Sequence, residues 1–180
     1  MKRGKGKNKG NRFENLVARE LSLWLTVGSS KYQLISTRMS GGWEGAEEWR
    51  QAGDLAPNGP AGERFRRLVM VECKHRKNDL LWALFNPPNE ETNIQGWWMN
   101  LECEATQHEL LPMLIFRQNQ RAIMVALPQE LAHLVAWDLY PVLYVEDREY
   151  MIGILKLDVL LAWPPEQFLA LVEEIIHGSP

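Results

Sequence analysis

The sequence predicts an α/β fold: a central mixed β-sheet flanked by helices, with a C-terminal α+β extension. Apolar residues recur at helical spacing at Phe13, Leu16, Val17, Leu21 and Trp24. Short apolar runs of strand length follow at Leu68–Val71, Met113–Phe116 and Ala122–Leu127. Between them, Gly96–Leu111 returns to helical spacing, and helices alternating with strands are the pattern of a sheet covered on its faces. A chain of 180 residues is long enough for one such core and short for two domains.

Residues 1–12 carry Lys2, Arg3, Lys5, Lys7, Lys9 and Arg12 among Gly and Asn, with no apolar period. They are expected to form a basic flexible arm, which either follows a phosphate backbone by counterion release or only solubilises the chain. The helix from Phe13 is expected to stop at Gly28-Ser29-Ser30, with Glu14 in its first turn and Arg19 facing solvent. Tyr32–Met39 reads as the first strand, followed by a glycine-rich loop, Ser40–Gly45, that continues as a candidate substrate-facing flap to Ala52. Asp54–Ala56 opens the second strand. The turn residues Asn58-Gly59-Pro60-Ala61-Gly62 lead to the third, so these two strands are expected to pair as a hairpin.

Asp79 then suits the cap of a helical turn over Leu80–Phe85, and the prolines in Asn86–Thr92 mark a loop. Met113–Arg117 and Ala122–Leu127 read as strands around the turn Gln118-Asn119-Gln120. Beyond Pro128 a helix is expected over Gln129–Trp137, a hairpin from Val142–Val145 and Tyr150–Leu155, and an amphipathic helix over Glu166–Ile176. The organisation is thus an arm at 1–12, a core at 13–127 and an extension at 128–180, packed on the core or at a dimer interface.

Composition narrows the function. The formal net charge of −3 conceals a segregation of signs: the opening is basic, and acids predominate after Pro128. Two cysteines, Cys73 and Cys103, indicate neither a disulfide framework nor a zinc ribbon. No apolar run reaches the length of a membrane span, and no apolar stretch follows the basic N-terminus, so a soluble cytoplasmic protein is expected.

The chemistry concentrates in Arg66-Arg67-Leu68-Val69-Met70-Val71-Glu72-Cys73-Lys74-His75-Arg76-Lys77. Alternation along a strand sends Glu72 and Lys74 to one face and Val69, Val71 and Cys73 to the other. A buried strand has no structural need for Glu-x-Lys. With Asp54 on a neighbouring strand, Glu72 provides a second hard oxygen ligand, the minimum for Mg²⁺ or Mn²⁺ when waters and phosphate oxygens complete the shell. Lys74 would then act on a water or on the phosphate. His75, Arg76 and Lys77 add positive charge at the exit of the strand.

Asp54, Glu72 and Lys74 in this order resemble the PD-(D/E)XK nuclease superfamily, with Gly53 where the family name has Pro. The opening Lys9-Gly10-Asn11-Arg12-Phe13-Glu14 and the segment Ser36-Thr37-Arg38-Met39-Ser40-Gly41-Gly42 are similar to the archaeal Holliday junction resolvases and related phage-encoded endonucleases, over roughly residues 9 to 127. The resemblance implies a restriction-endonuclease-like core and metal-dependent cleavage of DNA, with four-way junctions as substrate and a twofold dimer making paired cuts. It implies that Asp54, Glu72 and the Cys73 carbonyl hold the metal, that Lys74 acts in catalysis, and that Glu14 assists from the first helix. Arg38 and Ser40 are implied as phosphate contacts, with Gln107 facing the site from the helix at 96–111. DNA contacts are further expected from Lys5, Lys7, Lys9, Arg12, His75, Arg76 and Lys77, and the cytoplasm would be the host's if the chain is phage-encoded. The alternatives are another nuclease of the superfamily, of restriction or repair type, or a non-catalytic DNA-binding protein with this fold.

Overall fold

The computed structural model describes residues 5–37, 52–77, 93–136, 143–146 and 151–178, with the side chains of residues 5–9, 136 and 143–146 excepted. The loop and flap at 40–51, the helical turn at 80–85 and the loop at 86–92 lie outside the described residues.

Helix α1 spans Lys5–Leu25 and so begins well before Phe13. The stretch from Lys5 to Arg12 is helical backbone continuous with α1, rather than the structureless arm its composition suggests. Phe13, Val17, Leu21, Trp24 and Leu25 bury one face of the later turns. With those turns fixed, each residue added on the N-terminal side gains a hydrogen bond without a new nucleus, and Lys and Arg are good helix formers. The helix stops where expected: Gly28, at φ +85°, returns its N–H to the Leu23 carbonyl at 2.7 Å.

Strands β1 (Leu34–Ser36) and β2 (Leu55–Pro57) pair antiparallel with each other. The expected hairpin between the second and third strands is not formed, because residues 60–66 fold as helix α2 (Pro60–Arg66) ahead of β3 (Val69–Arg76). Pro60, read as a turn residue, stands in the first turn of α2, where its fixed φ and missing N–H suit a helix start. The Gln33 side chain completes that start by accepting the Ala61 N–H at 3.1 Å. Gly62 lets α2 press on β1: a Cβ there would come within 1.8 Å of the Gln33 carbonyl oxygen.

After α3 (Ile94–Gln107), capped by Asn93 Oδ1 on the Gly96 N–H at 2.8 Å, come β4 (Leu111–Gln118) and β5 (Ile123–Pro128). Helix α4 (Gln129–Ala136), β6 (Leu143–Glu146), β7 (Met151–Lys156), α5 (Leu157–Leu161) and α6 (Pro165–His177) complete the described elements. Among the described residues the main sheet has five strands in the order β3-β4-β5-β7-β6, with β3 parallel to β4 and the remaining pairs antiparallel. The fold is therefore α/β with a mixed sheet between helices, as the sequence predicts. The strands after Pro128 continue the sheet itself.

Alternation divides the core. Val69, Val71 and Cys73 with Met113, Ile115, Val125 and Leu155 pack on one face against α1, α2, α4, α5 and α6. Met70, Leu114, Phe116, Ala126 and Ile154 pack on the other against Trp97, Trp98, Leu101 and Ala105 of α3. The last helix is tied to the first: Trp24 Nε1 donates to the Trp163 carbonyl at 2.7 Å, and the Trp24 and Phe168 rings meet edge to face at 5.3 Å. Arg64 pairs with Glu166 and, at 3.7 Å, with Glu173, which draws two of the C-terminal acids onto α2. Phe168, Leu169 and Val172 are covered within the chain, whereas Ile175 remains partly exposed.

One buried hydroxyl holds β1 to α1. Ser22 Oγ donates to the Ala18 carbonyl at 2.6 Å and accepts the N–H groups of Gln33 and Leu34 at 3.1 and 2.9 Å. Ser22→Ala removes that shared acceptor from a fully buried site. The variant is expected to lose about 1–3 kcal/mol of stability, seen as a lower urea midpoint with unchanged m-value.

Candidate active site

β3 is an edge strand of the main sheet, and its outer edge is closed by the peptide at Gly53–Asp54. Val71 accepts the Asp54 N–H at 2.8 Å, and Asp54 Oδ2 accepts the Cys73 N–H at 2.8 Å. Asp54 also gives its own carbonyl to the Thr37 N–H at 2.9 Å, which links β1 to the same edge. Backbone groups of alternate residues point to the same side of a strand, so the Cys73 carbonyl shares this edge with the Val71 carbonyl. Thus Asp54 and β3 are brought together, by side-chain and backbone bonds instead of the expected hairpin.

Gly53 makes this geometry possible. Its φ is +73°, and a Cβ would stand 2.6 Å from the Val71 carbonyl oxygen. Proline, locked near φ −65°, cannot adopt this conformation, so Gly at this position reflects a different approach of the chain to the same carboxylate. Arg66 anchors the preceding residue. Its side chain is fully buried and donates to the Ala52 and Val69 carbonyls, with burial pushing its guanidinium down to about 10.

Glu72 and Lys74 lie on the α3 face of β3, roughly one quarter exposed, and are ion-paired with each other. Glu14 approaches from the other face. It is 2% exposed and accepts a 2.6 Å hydrogen bond from Ser36 Oγ. Because α1 starts at Lys5, Glu14 sits in the helix interior, beyond the first-turn position expected for it and beyond the reach of the helix dipole. The three carboxylates and Lys74 all act on Cys73: burial first, then Asp54, Glu72 and Glu14, push its thiol well up, with Lys74 opposing. The segment Glu72-Cys73-Lys74 is therefore flanked by acid on both faces and along its edge.

Among the described residues no three His, Cys, Asp or Glu side chains are gathered closely enough to hold a metal ion by themselves. The donors present are nonetheless hard oxygens: the carboxylates of Asp54 and Glu72 with the Cys73 carbonyl. That set fits Mg²⁺, which is commonly held by one or two carboxylates and keeps waters and phosphate oxygens for the remaining positions.

Other expected residues fall elsewhere. His75 faces α1, its ring 5.2 Å from that of Phe13 and both ring nitrogens buried, so it is not on the surface expected of a DNA contact. Strand alternation turns it to the face opposite Lys74 and Arg76. Gln107 is exposed at the end of α3 that leads to Leu111, the partner of Val69. It is thus near the end of β3 remote from Lys74, with its amide 3.8 Å from Cys103 Sγ. Arg76 is exposed, with its guanidinium 5.2 Å over the Trp97 ring, and Lys77 and Arg12 are exposed. Arg38 and Ser40 lie outside the described residues, as do the side chains of Lys5, Lys7 and Lys9.

Sequence reasoning missed Ser36 and Arg66. Arg66 had a signal, since Gly62, Phe65 and Arg66 form one buried helical stripe once residues 60–66 are read as a helix.

Gly53→Ala is expected to cost at least about 1–2 kcal/mol from positive φ alone, and more from the contact with Val71, with Asp54 displaced from β3. Thermal melting checks the first, and backbone amide exchange at Cys73 checks the second. With its thiol pushed up, Cys73 stays protonated and buried at pH 8.5, so an aromatic disulfide reagent is expected to titrate Cys103 alone until denaturant exposes the second thiol.

No described helix is long and apolar enough to cross a membrane. The chain matches the family described as "Phage putative PDDEXK endonuclease" over residues 5–168. No curated protein and no solved structure matches it. The family match runs from the first residue of α1 into α6 and includes Asp54, Glu72 and Lys74, and the chain therefore belongs to this family of phage PD-(D/E)XK endonucleases.

Proposed function

We propose that the protein is a Mg²⁺-dependent endonuclease hydrolysing phosphodiester bonds in DNA, with branched four-way junctions as its substrate. The observation that carries the hydrolytic reading is the closure of the β3 edge by Asp54, which sets a second carboxylate beside Glu72-Cys73-Lys74. A buried strand gains no stability from an exposed-type ion pair such as Glu72–Lys74, whereas a phosphodiesterase needs both signs of charge at one point.

Asp54, Glu72 and the Cys73 carbonyl would hold the metal. When bound, Mg²⁺ supplies Lewis acidity and lowers the pKa of a coordinated water. Lys74, with three N–H donors, orients the attacking water and offsets the negative charge that grows on the phosphoryl oxygens. That amine is ion-paired with Glu72, so binding of metal and phosphate would exchange one ionic partner for another. Glu14, held by Ser36, stands behind Cys73 on the α1 face, where its carboxyl oxygens would support divalent cation binding. Arg12, Arg76 and Lys77, with Lys5, Lys7, Lys9, Arg38 and Ser40, are the proposed contacts to the DNA backbone.

The junction as substrate rests on the similarity of the segments around Arg12-Phe13-Glu14 and Ser36–Gly42 to the resolvases. Two symmetric cuts require two active sites, and so a twofold dimer. Nucleases acting on duplex ends or flaps share the same active-site chemistry and differ in the surrounding loops.

Purified protein incubated with a labelled four-way junction and a matched linear duplex, in Mg²⁺ and in EDTA, separates these substrates. Symmetric metal-dependent cuts confined to the junction are expected. Cutting of both substrates would retain the nuclease and discard the resolvase. Lys74→Ala is expected to slow cleavage by about 10²–10³-fold while junction binding persists, and Glu72→Ala is expected to abolish it. Cleavage by either variant at the wild-type rate would refute the assigned roles.

A further inference from the structure

Beyond the strand that carries Glu72 and Lys74, the end of the sheet forms an open polar groove lined by Lys77, Gln118, Asn119, Gln120 and Arg121. Among the described residues its walls carry two cations and three amides and no carboxylate, in a chain whose net charge is −3. The groove stands on a braced turn. Asn119 N–H donates to the Arg76 carbonyl at 3.1 Å, which fastens the β4–β5 turn to the end of β3. Arg121 N–H donates to the Gln118 carbonyl at 3.1 Å, Arg117 Nε donates to the Arg121 carbonyl at 3.1 Å, and Gln120 takes the left-handed conformation at φ +60°. A hairpin turn needs none of these cations and tolerates carboxylates equally well.

From this we infer that the groove is a second DNA-backbone subsite, taking the sugar–phosphate strand as it leaves the catalytic end of β3. The inference rests on the nuclease reading above and adds the path of the DNA to it. Lys77 stands one residue past the end of β3 and three after Lys74, about 10 Å at the rise of an extended strand. The groove therefore meets the sugar–phosphate strand close to the bond that Lys74 serves. Arg76 lies between the two positions with its guanidinium held over Trp97, so positive charge is continuous along the route. Ammonium, guanidinium and amide donors on a tight turn suit phosphate and sugar oxygens, and the contact is sequence-neutral.

The test is binding of a fluorescein-labelled junction, and of a labelled duplex, to full-length protein in EDTA across a salt series. Lys77→Ala/Arg121→Ala is expected to weaken binding by tens of fold at 0.1 M salt and to lower the slope of log affinity against log salt by about 1.8, two phosphate contacts' worth. The charge-preserving Lys77→Arg/Arg121→Lys is expected to keep the wild-type slope. Lys31→Ala, an exposed lysine outside the groove, is expected to keep both affinity and slope. A double alanine variant with the wild-type urea midpoint, affinity and slope would overturn the subsite while leaving the nuclease reading intact. A wild-type protein that binds neither DNA would overturn both.

Discussion

The outer edge of β3 is the constraint on which the rest depends. A parallel partner satisfies only one side of an edge strand, and the other side presents N–H and C=O groups that invite pairing with any passing strand. Here Asp54 covers its middle, with its amide on Val71 and its carboxylate on Cys73. The same carboxylate is one of the two proposed to hold the metal. In that proposal structural closure and chemistry draw on a single side chain, whose position is dictated by the hydrogen-bonding needs of the sheet.

Holding that residue requires backbone that ordinary side chains resist and a charge that the interior disfavours. Gly53 takes a positive φ with Val71 directly above it, and Arg66 is buried among backbone carbonyls, with Glu104 providing distant compensation. A buried guanidinium carries a desolvation penalty that packed apolar groups would avoid. Its donors, however, fasten Ala52 and Val69 at once, on either side of the β3 edge. Stability is given up in exchange for a fixed geometry between two segments far apart in sequence.

Much of this was legible. Period-2 alternation placed Glu72 and Lys74 opposite Val71 and Cys73, and the helical stripe from Phe13 to Trp24 located α1 and its glycine stop. Illegible features had competing local signals. Asn58-Gly59-Pro60-Ala61-Gly62 has the composition of a turn, yet Pro at the start of a helix and Gly at a close packing point serve α2 equally well. Arg66 and Arg67 are neighbours of identical chemistry, and only the rotation of α2 buries one and exposes the other. His75 looked like part of a basic surface because Arg76 and Lys77 follow it, but strand parity turns it under Phe13. Gln107 was assigned to the site by family likeness alone. The phase and end of α3, set by packing against Met70 and Leu114, carry it elsewhere.

The sheet order has a consequence for how the chain comes into being. β7 inserts between β5 and β6, and Phe168 near the end of the chain shares a core with Trp24 near its beginning. Such connections between distant segments raise the contact order and slow folding, while synthesis delivers the N-terminal half first. A nascent chain still on the ribosome lacks the strands and the helix that bury α1 and the inner face of β3. The strand that carries Glu72 therefore gains its full cover only from elements made after it.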